Sequence, residues 1–184
     1  VFENRDILVV YKPGDLNVHS VPSSFYYNLT WGVNQYLKQQ GVKFEATPVT
    51  RLDRPVRGLV IFPRNKIAER ILFDNVKKRR IRKWYSTALA TPQNPVPLDM
   101  PVPVCRRIRD RISNDGNRTI PDNNGKFADS LFIKTGSLDT VDLHSVFIFT
   151  GRRHQIRFHA STYLTPIAGD WFYKSSQHFA GPGD

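Results

Sequence analysis

One carboxylate in the chain, Asp53, lies among arginines and shortly before an apolar segment. Arg51, Arg54 and Arg57 surround it, and residues 58–62 follow as a predicted buried strand. A carboxylate among guanidiniums is expected to keep its charge, and bidentate hydrogen bonds from arginine would fix its direction. Such a group suits a nucleophile or an electrostatic anchor. It suits a structural salt bridge equally well, and for an isolated motif of this kind that interpretation is the more common one.

A second candidate region is a basic run that leads into two aromatic rings. Its cations are Lys77, Lys78, Arg79, Arg80, Arg82 and Lys83, and Trp84 and Tyr85 follow directly. Cations that can contact phosphates beside rings that can stack on bases are typical of an RNA-contacting surface. The alternative is the solvated end of a helix. The excess of positive charge over the whole chain favours the RNA-contacting interpretation.

A third candidate region, residues 150–157, joins an apolar strand to a predicted helix. Gly151 allows a tight turn, and Arg153 and Arg157 are four residues apart, so they are expected on one helix face. A glycine turn that leads into an arginine-rich helix start is a natural site for phosphate or carboxylate. The alternative is a solvated basic helix. The five histidines lack ligand partners at suitable spacing, so no metal site is predicted.

The charge balance restricts the function classes more than the length does. The 184 residues contain 27 Lys and Arg against 16 Asp and Glu, which gives a net charge of +11 and predicts a polyanionic partner. No apolar segment approaches the ~20 residues needed to cross a bilayer, and no basic amphipathic helix is long enough for a membrane surface. With Cys105 as the only cysteine, we expect no disulfide and an intracellular protein without a membrane partner.

Hydrophobic periodicity predicts strands and helices that are intermixed along the chain. The predicted strands cover residues 6–11, 58–62, 82–89, 128–134 and 141–149, and the predicted helices cover 29–40, 66–78 and 153–164. The helix over 66–78 is capped by Asn65 and is expected to bury Ile67, Ala68, Ile71, Leu72 and Val76.

Residues 91–103 read as a proline-rich connector, and a loop is expected up to Gly125. The gap over 135–140 looks long for a tight hairpin. The pattern predicts an α+β fold with antiparallel strand pairs.

Taken in chain order, five blocks resemble the RluA-type family of RNA pseudouridine synthases. They are residues 3–14 with their Lys-Pro-Gly turn, Arg51-Leu-Asp53 with 58–60, 78–85 ending at Tyr85, 125–130, and 150–159 together with 166–170. The resemblance spans nearly the whole chain. One such block would carry little weight, whereas five in the family's order are a specific signal.

The resemblance implies a fold, a reaction and a set of site residues. The fold would be a mixed, mainly antiparallel sheet with flanking helices and a central RNA-binding cleft. The reaction would convert uridine in RNA to pseudouridine without cofactor or metal. Asp53, Tyr85 and Arg157 would be catalytic, with Arg157 paired to Asp53 and Tyr85 packed against the uracil. The predicted RNA-binding residues are Arg51, Arg54, Arg57, Lys77, Lys78, Arg79, Arg80, Arg82, Lys83, Arg152, Arg153, His154 and Gln155.

The chain also departs from the family pattern. Thr50 and the pair Val56-Arg57 stand where the family has histidine and threonine-serine, beside the expected catalytic carboxylate. A catalytically inactive RNA-binding or ribosome-assembly factor on the same fold is therefore the alternative hypothesis. The expected partner is ribosomal RNA first and transfer RNA next, with a ribosomal subunit or its precursor as a further partner, in the cytoplasm or in a mitochondrion or other organelle. Residues 1–174 are expected to form one catalytic domain that lacks the family's last strands, and 175–184 a polar tail.

Overall fold

The computed structural model describes residues 1–21, 26–91 and 105–173. Within it the chain forms two compact units, Val1–Ile81 and a second unit from Arg82 onward. Most of the predicted proline-rich connector and the polar tail with His178 lie outside the described residues. The prediction of a single catalytic domain over residues 1–174 stays a prediction.

The first unit is a small antiparallel sheet with two helices. Its elements are β1 (Phe2–Glu3), β2 (Ile7–Lys12), α1 (Leu29–Gln39), β3 (Gly58–Pro63) and α2 (Lys66–Lys77). The strand order is β1-β2-β3, and Val10 lies opposite Val60 in the central pair. Val60 and Phe62 of β3 are fully buried together with Leu37 of α1, so apolar residues of strand and helix form the core.

Both helices of this unit start at an asparagine whose side chain accepts a backbone hydrogen bond. The Asn28 Oδ1 accepts from the Trp31 amide at 2.9 Å, and the Asn65 Oδ1 accepts from the Ala68 amide at 2.8 Å. These bonds satisfy amides that have no partner inside the first helical turn. The predicted cap at Asn65 is therefore confirmed.

The predicted buried face of α2 is wrong in part. Ala68 is buried, but Ile67 is 66% exposed and Ile71 is 53% exposed. Neighbouring positions of a helix are rotated by about 100°. Ile67 and Ile71 therefore form the row next to the Ala68 row and face away from the core.

The second unit is a five-stranded antiparallel sheet with one helix on it. Its elements are β4 (Lys83–Ala90), β5 (Cys105–Asp115), β6 (Arg118–Pro121), β7 (Lys126–Leu138), β8 (Val141–Ile148), α3 (Gln155–Tyr163) and a 3-10 turn (Trp171–Tyr173). The strand order is β4-β8-β7-β5-β6. Ala160 of α3 is buried with Ile108, Phe132 and Val146, so α3 covers the face of the sheet that these residues share.

Two loops predicted from the sequence are instead strand pairs. Residues up to Gly125 include the hairpin of β5 and β6, in which Ile108 and Ile112 are buried between exposed arginines. Only Ile108 and Ile112 of the eleven residues of β5 are buried, and Asp110 lies between them on the same face, so the period of two does not appear as alternating apolar residues. The predicted gap over 135–140 is a two-residue turn after Leu138, which pairs with Val141. Asp139 takes the left-handed conformation in that turn, with φ of 49°.

The α+β class and the mainly antiparallel pairing are confirmed, since every pair of named strands in the described residues is antiparallel. Within the same residues, no helix is long and apolar enough to cross a membrane.

A glycine before β7 gives a test of this packing. A methyl group on Gly125 would lie 2.6 Å from the backbone of Ile112, whereas one on Gly136 would have no atom within 4 Å. Gly125→Ala should therefore lower the free energy of unfolding by about 1–3 kcal/mol through overpacking. Gly136→Ala is the matched control and should be close to neutral in urea unfolding. Equal stabilities for the two variants would contradict the packing described around Ile112.

Candidate functional site

Asp53 lies in the loop that leads into β3. Its carbonyl oxygen accepts a hydrogen bond from the Val56 amide at 3.0 Å, which closes a turn, and its side chain is half-buried. Arg51, Arg54 and Arg57 on the same loop are exposed. The loop therefore presents one carboxylate with cations on either side of it, toward which polyanions would be attracted.

A buried lysine fixes this loop to the end of β2. The side chain of Lys12 is fully buried, and its ammonium donates to the carbonyls of Pro13 at 2.8 Å, Leu16 at 2.8 Å and Arg54 at 2.9 Å. All three donors of the ammonium are used. Burial lowers the pKa of Lys12, and the negative charges of Asp15 and Asp53 oppose that shift. Because Arg54 is adjacent to Asp53, the ammonium positions the backbone beside the carboxylate.

A buried glutamine organises the junction between β8 and α3. Gln155 is 3% exposed. Its amide nitrogen donates to the Asp129 carbonyl at 3.0 Å and to the Ser130 hydroxyl at 2.8 Å. Its oxygen accepts from the Thr150 hydroxyl at 2.7 Å and from the Arg152 amide at 3.0 Å. The sequence prediction of Gln155 as an RNA-binding residue is wrong, because its side chain is used inside the protein.

Two residues further along α3, Arg157 is held by a carboxylate. Its Nε and Nη2 bond the two carboxyl oxygens of Asp170 at 2.6 and 2.8 Å, and its guanidinium lies 5.0 Å from the ring centre of Tyr173. The bidentate pair sets the orientation of the guanidinium. The role of Asp170 is missing from the sequence prediction, although the Gly169-Asp170 motif follows the helix.

Tyr85 and Lys83 lie on the face of the sheet that α3 covers. Tyr85 is half-buried and packs against the core that contains Ala160 of α3. Lys83 is two residues away on the same strand face, and burial lowers its pKa. A methyl group on Gly151 would lie 2.9 Å from the Lys83 ammonium, so the missing side chain makes room for it. Lys83 is therefore a partly enclosed cation rather than part of a solvated helix end.

The predicted pairing of Arg153 and Arg157 on one helix face is wrong. The helix begins at Gln155, because His154 takes the left-handed conformation with φ of 50°. Arg153 instead donates to the Gly116 carbonyl and to the Asn117 side chain, both at 3.3 Å.

The side chains on either side of Arg153 also have partners inside the unit. The Arg152 Nε donates to the Phe127 carbonyl at 2.9 Å. The His154 ring lies 3.2 Å from the Tyr173 hydroxyl. The predicted phosphate site at the helix start therefore has arginines that are engaged with their own unit and half-exposed or exposed at the surface.

The remaining predicted RNA-binding cations lie at the end of α2 and just beyond it. Lys77, Lys78, Arg79, Arg80 and Arg82 are exposed, and Lys78 pairs with Asp74 at 2.8 Å. The chain leaves the helix by a left-handed residue, Arg79, with φ of 56°. A non-glycine residue in that conformation is uncommon and turns the basic run away from the helix axis.

The described histidines do not form a cluster with other metal-ligating side chains. Burial lowers the pKa values of His19 and His144, and it lowers the pKa of His159 to about 4, so these rings are neutral at neutral pH. Over residues 1–21, 26–91 and 105–173, no group of three or more metal-ligating side chains occurs.

Comparison with known proteins agrees with this arrangement of motifs. The family model described as RNA pseudouridylate synthase matches residues 6–162. The chain belongs to the RNA pseudouridylate synthase family. The RluA-type resemblance predicted from the sequence is thereby confirmed.

Two relatives and one solved structure show how far the similarity extends. An uncharacterized RNA pseudouridine synthase of Helicobacter pylori is 28% identical over 94% of this chain and 54% of its own length. The ribosomal large subunit pseudouridine synthase C of Rickettsia bellii is 28% identical over 92% of this chain and 54% of its own length. The chain thus spans about half the length of both relatives. The human RNA pseudouridylate synthase domain containing 4 shares the fold, with a TM-score of 0.75, 20% identity and coverage of 99% of this chain and 72% of that one.

Family membership sets the expected roles of residues in both units. Asp53 belongs to the first unit, and Tyr85 and Arg157 belong to the second. Their meeting in one cleft, and the pairing of Arg157 with Asp53, stay predictions. A guanidinium has five N–H donors, and the pair with Asp170 uses two of them. The departures from the family pattern at Val56 and Arg57 lie on the same surface loop as Asp53.

The three hydrogen bonds of Lys12 generate a stability prediction. Lys12→Met keeps an unbranched apolar side chain but leaves the Pro13, Leu16 and Arg54 carbonyls without this donor. We expect the free energy of unfolding to fall by about 2–4 kcal/mol, because buried acceptors lose their partner. Lys43→Met removes an exposed lysine of the same unit and should change it by less than about 0.5 kcal/mol. Urea denaturation compares the two, and similar stabilities would show that the Lys12 bonds do not hold the loop.

Proposed function

We propose that this chain isomerises uridine in RNA to pseudouridine, and is thus an isomerase of the intramolecular transferase type. The observation that carries the proposal is the loop of Asp53, which the buried Lys12 ammonium holds through the Arg54 carbonyl. Membership of the RNA pseudouridylate synthase family supports the reaction class.

The reaction requires a carboxylate that is ionised and directed at the target nucleoside. The bond between the ribose and N1 of uracil must break, the base must turn while it is held, and C5 must bond to the same sugar carbon as the C5 hydrogen leaves as a proton. Asp53 either attacks the sugar or removes a sugar proton to give a glycal. Both routes need an ionised carboxylate next to the ribose, and neither route calls for a cofactor or a metal.

Arg157 and Tyr85 complete the proposed site. Arg157, oriented by Asp170, would pair with Asp53 and so keep the carboxylate ionised and aimed. Tyr85 would pack against the uracil from the face of the sheet that α3 covers. Both roles follow from the family pattern, and the half-buried positions of the two side chains are compatible with them.

A base inside folded RNA must leave its stack before it reaches such a site. Flipping costs roughly a few kcal/mol. Contacts of phosphates with exposed cations would offset that cost, and Arg51, Arg54 and Arg57 lie next to Asp53 in sequence. Arginine is suited to this role because its planar fork matches two phosphate oxygens.

Ribosomal RNA is the first substrate class that we propose, with transfer RNA second. The ribosomal name of the Rickettsia bellii relative supports ribosomal RNA as a substrate class. A ribosomal subunit or its precursor would then present the target, in the cytoplasm or in an organelle such as the mitochondrion.

Loss of the Asp53 charge tests catalysis directly. Asp53→Asn keeps the shape of the side chain but cannot act as the carboxylate, so pseudouridine formation should fall by roughly a thousandfold or more. RNA affinity should stay nearly unchanged. Release of tritium from RNA labelled at C5 of uridine measures the reaction. Asp139→Asn, at the exposed β7–β8 turn, is the matched control and should keep full activity.

The same experiment separates the enzyme from its inactive alternative. Equal tritium release by the wild type and by Asp53→Asn, with RNA binding retained, would contradict catalysis by Asp53 and favour an RNA-binding or assembly factor.

The basic end of α2 should determine the salt dependence of RNA binding. Neutralising Lys77, Arg79 and Arg80 to Gln removes three exposed cations, so the slope of log K against log salt should decrease by about 2–3. Filter binding across a salt series measures the slope.

A control triple variant removes the same charge elsewhere. Arg5, Lys38 and Lys43 are exposed in the same unit, and their change to Gln should leave the slope nearly as in the wild type. If both triple variants have the same slope, the end of α2 does not contact RNA phosphates.

A further inference from the structure

The sheet of the second unit has a second face, opposite the one that α3 covers. Trp84 of β4 lies opposite Phe147 of β8, Phe147 lies opposite Leu131 of β7, and Leu131 lies opposite Arg107 of β5. Because residues directly opposite one another share a face, these four side chains form one row across four strands. Consecutive residues of a strand point to opposite faces, so Trp84 lies on the face that Tyr85 does not.

One exposed aromatic ring and two half-buried ones lie on this face. Trp84 is 62% exposed, and its ring centre lies 6.0 Å from that of Phe147. Phe147 in turn lies 4.6 Å from Phe149, and the Arg107 guanidinium lies 4.5 Å from the centre of the Phe149 ring. The exposed Trp84 ring and the half-buried Phe147 and Phe149 rings therefore form a continuous aromatic surface, which a planar ligand can reach at Trp84.

Arginines border the rings with little negative charge to balance them. Arg107, Arg109 and Arg111 alternate onto this face along β5. The described residues on this face come from β4, β8, β7 and residues 105–111 of β5. Among them, Asp129 is the one carboxylate. It is buried and pairs with Arg107 at 2.8 Å and with Arg109 at 3.5 Å, and the hydrogen bond from Arg107 is the main cause of its lowered pKa. The face therefore has a net positive charge beside its rings.

We propose that this face binds single-stranded RNA, with bases stacked on Trp84 and Phe147 and phosphates bonded to Arg109 and Arg111. The four strands of the row span about 14 Å, since neighbouring strands lie about 4.8 Å apart. That distance accommodates a short stretch of nucleotides. Stacking rings beside cations is the chemistry by which sheets hold single strands without reading their sequence.

The net charge of the chain favours RNA over a protein partner on this face. A protein interface would bring apolar side chains against the rings, but it would also have to satisfy three arginines beside a single carboxylate. At +11 the chain attracts polyanions over its whole surface. The inference rests on the proposed function only in taking RNA as the ligand, and it does not require catalysis.

An oligonucleotide without uridine tests this face separately from the reaction. A fluorescein-labelled ten-residue oligoadenylate has no substrate base but can stack. Trp84→Ala should weaken its binding about tenfold, as expected for the loss of one stacked base. Arg109→Gln should reduce the salt slope by about one. Trp31→Ala removes a 44% exposed ring from α1 and should leave the affinity unchanged.

Two further measurements keep the test decisive. Trp84→Phe retains a ring and should restore most of the affinity that Trp84→Ala loses. In a variant with Trp31→Phe and Trp171→Phe, Trp84 is the remaining tryptophan, and its fluorescence should be quenched by the oligoadenylate. Wild-type affinity in Trp84→Ala together with unquenched Trp84 would overturn the proposal. The proposal would also be overturned if the Trp84 emission shifted with protein concentration in parallel with dimer formation measured by sedimentation. A second copy of the chain would then cover the face.

The Asp53→Asn variant separates this proposal from the proposed function. It should bind oligoadenylate like the wild type even though it forms no pseudouridine. Binding that is weakened about tenfold in Trp84→Ala but unchanged in Asp53→Asn supports a second RNA surface, whatever the result for catalysis.

Discussion

The arrangement of the first unit depends on one buried charge, the ammonium of Lys12. An ammonium in an apolar interior is costly unless its donors are satisfied, and here three carbonyls accept from it. One of them belongs to Arg54, 42 residues away in sequence, so the bond joins the end of β2 to the loop of Asp53. The fold thus fixes the backbone of the loop that carries Asp53 and its arginines.

The second unit uses the same principle with a neutral group. The buried amide of Gln155 ties β7 to the start of α3, and it makes four hydrogen bonds inside the protein. Arg157 follows within the same helix and is oriented by Asp170. In both units a fully satisfied buried polar side chain positions a partly exposed charged one. That arrangement is expected where a site needs a fixed geometry, because buried networks are rigid when every member has a partner.

Local patterns in the sequence predict the helices and strands of this protein better than they predict the contacts between distant residues. The cap at Asn65 and the strand before Pro63 follow from residues close in sequence, so they could be predicted. The strand β5 could not, because it buries only Ile108 and Ile112 and has Asp110 between them, which is too little apolar sequence to show the period of two. The role of Gln155 depends on partners 25 and 26 residues away, and no local signal identifies them. Motif order suffices to identify the family, whereas the bonds that hold Asp53 and Arg157 require the fold.

The central proposal is that Asp53 is the carboxylate that acts on a uridine in RNA. A crystal structure of the chain with an RNA that carries an unpaired uridine tests it most directly. We predict a uridine with its ribose within hydrogen-bond distance of the Asp53 carboxylate, the Tyr85 ring against the uracil, and the Arg157 guanidinium on the same carboxylate. A uridine bound away from Asp53, or an Asp53 far from both Tyr85 and Arg157 with RNA bound, would contradict the account.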